Sequence, residues 1–163
     1  HGGSLRIYAA HDSDVLKPIG KRVHDLLLRQ EKAGLTNLKR YLEWGEQVKK
    51  TKRKFLEFLM TAKAEQKSVV GYGAPAKGNT LLNYCGIGTD LIDYTVDRSP
   101  HKQGHFLPGT HIPIYSPERI RETMPDYVLI LPWNLKDEIM DQMQYIRDWG
   151  GRFVIPIPEV KVL

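Results

Sequence analysis

The chain is 163 residues long, 41% apolar and 26% charged, with a net charge of +5. This is the balance of a soluble globular protein able to bury one core. Its apolar runs, such as Tyr127-Val128-Leu129-Ile130-Leu131, are too short to span a bilayer, and its N-terminus lacks the basic and apolar regions of a signal peptide. A single cysteine, Cys85, excludes an internal disulfide, no Cys/His spacing fits a metal site, and a reducing cytoplasm is the default setting.

Residues 1–16 open with His1-Gly2-Gly3-Ser4 and pass into the strand-like Leu5-Arg6-Ile7-Tyr8-Ala9-Ala10. A lone strand needs a sheet to join, and none follows at once. With no initiator Met, this reads as an orphan strand left from a preceding domain.

Residues 18–66 read as a two-helix hairpin. Pro18 suits a first helical turn, Val23, Leu26 and Leu27 keep helical spacing, and Gly34 ends the run. Thr36 or Asn37 then caps a long second helix with an apolar stripe of Leu38, Leu42, Val48, Phe55, Leu59 and Ala62, which reads as packing. Lys49, Lys50, Lys52, Arg53 and Lys54 form a basic cluster. Glu43, Glu46 and Glu57 lie at ion-pairing distance along the helix, so the cluster reads as a solvated face, and no nucleic-acid partner is expected.

From residue 67 the period changes. Ser68-Val69-Val70-Gly71-Tyr72 is a buried-strand pattern, followed by a glycine-rich turn and a helix that Gly86 closes. Leu91–Val96 is a second strand and His111–Tyr115 a third. Ser116-Pro117-Glu118 starts a helix, and Asp126–Leu131 is a fourth strand. The helix from Leu135 to Trp149 buries Ile139, Met143 and Ile146, Gly150 ends it, and Arg152–Pro156 is the fifth strand. Strands alternating with helices predict an α/β, Rossmann-like, five-stranded and mostly parallel sheet in the order 3-2-1-4-5, preceded by the hairpin.

The first strand turn, Gly71-Tyr72-Gly73-Ala74-Pro75-Ala76-Lys77-Gly78, carries the chemistry. Glycines at 71 and 73 permit close approach of a phosphate or a positive φ, and amides from Ala74 to Gly78 would face an anion at a helix N-terminus, with Lys77 adding a point charge. The pattern departs from G-x-G-x-x-G, since residue 76 is Ala and Pro75 removes a donor, and it is no Walker motif. A merely tight structural turn is the alternative. Asp97 at the end of the second strand is placed to accept a ribose hydroxyl, or to cap the Ser99-Pro100 turn. Arg98 can pair with a phosphate. Lys102 and Gln103 are the expected contacts of the 99–110 loop, in which His101 and His105 read as solvent-exposed. Asn134 points to the same crevice edge, and Trp133 either stacks on a base or sugar or packs beneath the loop.

These stretches, extended to Asn79-Thr80 and joined by Asp97–Gly104, Pro108–Ile114 and Leu131-Pro132-Trp133-Asn134, resemble the C-terminal domain of sugar C-methyltransferases. The leading His1-Gly2-Gly3-Ser4-Leu5-Arg6 resembles the close of that family's central methyltransferase domain. The resemblance implies a 17–163 domain that helps hold a nucleotide-linked keto-deoxysugar, next to a methyltransferase domain in cis that binds S-adenosylmethionine. It implies substrate contacts from Gly71, Gly73, Ala74, Pro75, Ala76, Lys77, Gly78, Asn79, Asp97, Arg98, Lys102, Gln103, Trp133 and Asn134. It also makes His1 the match of the base that removes the proton α to the keto group; from the sequence alone, a terminal His is equally a truncation point. The chain by itself is expected to bind no cofactor tightly and to catalyse no methylation. Two rival readings stay open: an oxidoreductase-type NAD(P) domain, which the glycine turn and Asp97 fit by themselves, and an interaction module docking through the basic hairpin.

Overall fold

A computed structural model of the protein describes residues 4–163, which divide into two compact units, one ending at Val48 and the other Lys49–Leu163.

In the first unit, residues 4–10 form no strand, and that unit has no described strand for their alternating pattern to pair with. Helix α1 spans Lys21–Lys32 and starts later than Pro18 leads one to expect. Gly20 is its N-cap in an extended conformation (φ −73°, ψ 149°), because glycine is a poor helix interior and a permissive boundary. Gly34, at φ +75°, ends the helical run, and the Leu35 N–H returns to the Gln30 carbonyl. Asn37 caps α2 (Leu38–Ala64), its Oδ1 accepting the Lys39 N–H at 2.9 Å. No residue of α1 is buried. Along α2 only Phe55, Leu59 and Ala62 are, so the apolar stripe becomes core only in its second half.

In the second unit a six-stranded sheet has the order β3-β2-β1-β4-β5-β6. β1 (Val69–Tyr72), β2 (Thr95–Val96), β3 (Ile114–Tyr115), β4 (Tyr127–Ile130) and β5 (Arg152–Ile155) are parallel, in the expected order. β6 (Lys161–Val162) adds an antiparallel edge beside β5, a strand that the sequence pattern does not signal. β2 is shorter than expected: the N–H groups of Leu91 and Ile92 turn back to the Gly88 carbonyl, and sheet bonding starts only where the Asp93 N–H reaches Val69. β3 is shortened because His111 sits at φ +57° and its N–H bonds to Leu107.

Alternation along the strands feeds two cores. On one face Val69, Leu129, Leu131 and Val154 join Phe55 and Leu59 of α2 and Leu82 of α3 (Ala76–Cys85). On the other, Val70, Tyr72, Val96, Ile130 and Phe153 meet Ile120 of α4 (Glu118–Thr123) and Ile139 of α5 (Lys136–Gln142), with Met143 and Ile146 just beyond it. Both faces covered is what a parallel sheet requires. The expected helix from 135 to 149 is broken into 3-10 turns at Trp133–Leu135 and Gln144–Trp149 around α5, yet Ile139, Met143 and Ile146 are buried and Gly150, at φ +83°, closes it.

Candidate functional site

Parallel strands bring their C-terminal ends to one edge, so the loops after β1, β2 and β4 converge there.

The turn after β1 is tied to β2 rung by rung. The Gly73 N–H donates to the Val96 carbonyl at 2.6 Å and the Ala74 N–H to Asp97 Oδ2 at 2.8 Å. The fully buried Thr95 hydroxyl donates to the Gly73 carbonyl at 2.9 Å. It occupies space that Gly71 leaves: a Cβ at residue 71 would stand 2.6 Å from Thr95 Oγ1. Gly73 has φ +87°, and a Cβ there would lie 2.7 Å from Pro132; one at Gly78 would lie 2.9 Å from Leu131 Cβ. Gly71 and Gly78 therefore answer to packing of the sheet and of α3, and Gly73 to turn conformation. Of the amides expected to face an anion, Ala74 is already engaged and Pro75 has none. Ala76, Lys77 and Gly78 form the first turn of α3, which no side chain caps. Asn79, half-buried, accepts from the Asn83 amide, which also donates to the Pro108 carbonyl at 2.9 Å.

Asp97 is held by three donors of its own chain. Oδ1 accepts the Ser99 N–H at 2.8 Å, and Oδ2 accepts both Ala74 N–H and the Lys102 ammonium, the latter at 3.1 Å. Burial alone would raise its carboxyl, but these N–H groups and Lys102 outweigh that and hold it below the ordinary aspartate value. Lys102 also donates to the Ala74 carbonyl at 3.0 Å, and the Gln103 amide to the Asp97 carbonyl at 2.9 Å. Asp97, Lys102 and Gln103 thus act as a clamp on the two loops. This favours the capping alternative for Asp97 over ribose acceptance.

Across the switch point, Lys77 donates to Asn134 Oδ1, and its ammonium lies 4.5 Å from the Trp133 ring centroid. Trp133 also packs on the apolar cluster below. The structure brings Lys77, Trp133 and Asn134 together from elements 57 residues apart. Arg98 instead lines an open cavity on the α4/α5 face. His101 and His105 are exposed, and His1 lies outside the described residues. Thr95 and Asn83, which hold the site together, belong to no motif in the sequence, and Tyr72, which opens onto the cavity, lies inside the glycine-rich turn as its variable position; the only signal for Thr95 is a strand-interior Thr opposite a strand-interior Gly. Among the described residues no group of His, Cys, Asp and Glu could hold a metal ion, and no helix is long and apolar enough to cross a membrane.

Asp97, at the end of β2 where an acidic residue often accepts a ribose hydroxyl, has three of its acceptor positions taken by Ala74, Ser99 and Lys102.

Residues 1–158 match the family model of the C-methyltransferase C-terminal domain. The chain is 37% identical over all its 163 residues to C-methyltransferase NovU of Streptomyces niveus, and spans 39% of that relative's length. Its fold is similar to that in the crystal structure of UDP-D-quinovosamine 4-dehydrogenase from Vibrio fischeri, at 21% identity and a TM-score of 0.43, over 60% of this chain and 93% of that one. The chain belongs to the family of C-methyltransferase C-terminal domains.

Proposed function

We propose that residues 17–163 hold a nucleotide-linked keto-deoxysugar for C-methylation by S-adenosylmethionine, in a cytoplasmic enzyme whose methyl donor is bound outside this chain. Residues 1–16 then belong to the connection with that preceding domain, with His1 as the base acting on the carbon next to the keto group. The observation that carries the reading is the meeting of Lys77 with Asn134 and Trp133 at the mouth of the sheet. A cation, an amide and an indole there supply a charge for a phosphate, a polar contact and an apolar face for a ring. The engaged Asp97 disfavours the NAD rival, because a ribose hydroxyl would have to share the carboxylate with two backbone N–H groups and an ammonium.

Calorimetric titration of this chain with a dTDP-keto-sugar, NAD and S-adenosylmethionine tests the reading. Saturation by the sugar nucleotide alone is expected, and saturation by NAD alone overturns it. Methyl transfer by the chain with S-adenosylmethionine and the keto-sugar would refute the assignment of the donor to another domain.

A further inference from the structure

Thr95 is, among the described residues, the only buried one whose side chain carries an aliphatic hydroxyl, an amide or a charge. Valine has the same shape, favours strands equally and buries no polar atom, so packing by itself does not ask for a hydroxyl there. The hydroxyl is spent on the Gly73 carbonyl, at 2.9 Å. The N–H at the other end of the same peptide unit, that of Ala74, donates to Asp97 Oδ2 at 2.8 Å. Two residues at the end of β2 thus grip the Gly73–Ala74 peptide from both sides. Turned over, that peptide would set its carbonyl against the Asp97 carboxylate. In its present orientation each end meets a complementary group.

Gly73 sits at φ +87° and, lacking a Cβ, leaves its peptide free to rotate. Beyond it, Pro75 fixes its own φ, at −80°, and restricts Ala74 before it. The Gly73–Ala74 peptide is therefore the last loose unit before α3, and its orientation sets the direction in which that helix leaves the sheet. The helix carries the uncapped amides of Ala76, Lys77 and Gly78 in its first turn, and the Lys77 ammonium that meets Asn134 and Trp133. We propose that Thr95 is the positioning residue of the sugar-nucleotide site: its hydroxyl fixes the Gly73–Ala74 peptide, and through it the placement of Lys77 and of the first turn of α3. The ligand in this statement rests on the sugar-nucleotide reading; the fixing of the turn does not. Gly71 belongs to the same device, since a Cβ there would stand 2.6 Å from Thr95 Oγ1 and push it off the Gly73 carbonyl.

Calorimetry with dTDP-glucose on the 163-residue chain, on Thr95→Val and on Thr95→Ser tests it. Thr95→Val keeps the bulk and removes the hydroxyl; Thr95→Ser keeps the hydroxyl and loses a buried methyl. Thr95→Val is expected to weaken binding about tenfold, and Thr95→Ser to bind within about twofold of the unsubstituted chain. A residue that matters only as core filling gives the opposite order, because Thr95→Ser is the variant that leaves a void. Circular dichroism fixes a temperature at which every variant is folded. Thr95→Cys, which offers a weak donor, replaces Thr95→Val if that chain does not fold, with a several-fold loss expected. NMR of the free chains is the second readout. The amide signals of Gly73, Ala74 and Lys77 are expected to shift or split in Thr95→Val and to stay close to their original positions in Thr95→Ser. Equal affinity of the two variants, or weaker binding by Thr95→Ser, overturns the positioning role and leaves the sugar-nucleotide reading standing. If the unsubstituted chain binds no dTDP-glucose, that reading falls, and the amide signals alone decide whether Thr95 fixes the turn: undisturbed signals in Thr95→Val overturn it.

Discussion

The Asp97 carboxylate accepts the Ala74 N–H at 2.8 Å, so the acidic residue at the end of β2 holds the turn after β1 in place. The same oxygen takes the Lys102 ammonium at 3.1 Å, and the other takes the Ser99 N–H. One side chain thereby couples the two loops that border the proposed sugar-nucleotide site.

Asp97→Asn is expected to destabilise the chain by about 1–3 kcal/mol at neutral pH, the cost of losing hydrogen bonds to a charged acceptor. The folded-state carboxyl lies below its unfolded value, so its contribution is fully present above the unfolded value of about 3.9 and is lost as pH falls through the folded one. Urea denaturation at a series of pH values should show the gap between the unsubstituted chain and the variant closing below about pH 4. A gap unchanged into strong acid would refute the clamp.

Gly71→Ala and Gly78→Ala are each expected to cost about 1–3 kcal/mol by overpacking, since the new methyl meets Thr95 in one case and Leu131 in the other. Thermal melts measure this. If Gly71→Ala retained stability but lost ligand affinity, residue 71 would face a ligand after all.

Leu59→Ala or Phe55→Ala should cost about 2–5 kcal/mol, because both are fully buried. Leu42→Ala on the same helix stripe should cost no more than about 0.5 kcal/mol, because Leu42 is 66% exposed. Equal losses in chemical denaturation would show that the first half of α2 is covered as deeply as the second.

Lys77→Met should weaken sugar-nucleotide binding about tenfold, near 1.4 kcal/mol, while leaving the melting temperature within a few degrees. Tryptophan fluorescence gives a separate readout, because the Lys77 ammonium sits over the Trp133 ring. Undiminished affinity would remove Lys77 from the site.

The strands with strong alternation are legible in the sequence alone. Val69-Val70, Tyr127–Ile130 and Phe153–Ile155 each send neighbours to opposite cores, a pattern that local sequence carries in full. β6 is not legible, being two exposed residues whose pairing depends on the chain returning beside β5. The shortening of β2 depends likewise on a turn back to Gly88. At the site, the strand–turn–helix context of Gly71–Gly78 is readable. The partners of its groups are not, because Thr95, Asp97, Leu131 and Pro132 approach it only when distant strands pair.

By itself, the order of residues determined that this is an alternating α/β chain with a glycine-rich first turn and an acidic residue ending its second strand, since periodicity and glycine placement are local properties. Only the tertiary structure decided that Asp97 spends its charge on Ala74, Ser99 and Lys102, and that Lys77 meets Trp133 and Asn134. It likewise decided that Arg98 opens onto a cavity with Tyr72. Hydrogen bonds and ion pairs depend on distance in space, and parallel pairing of strands far apart in sequence sets those distances.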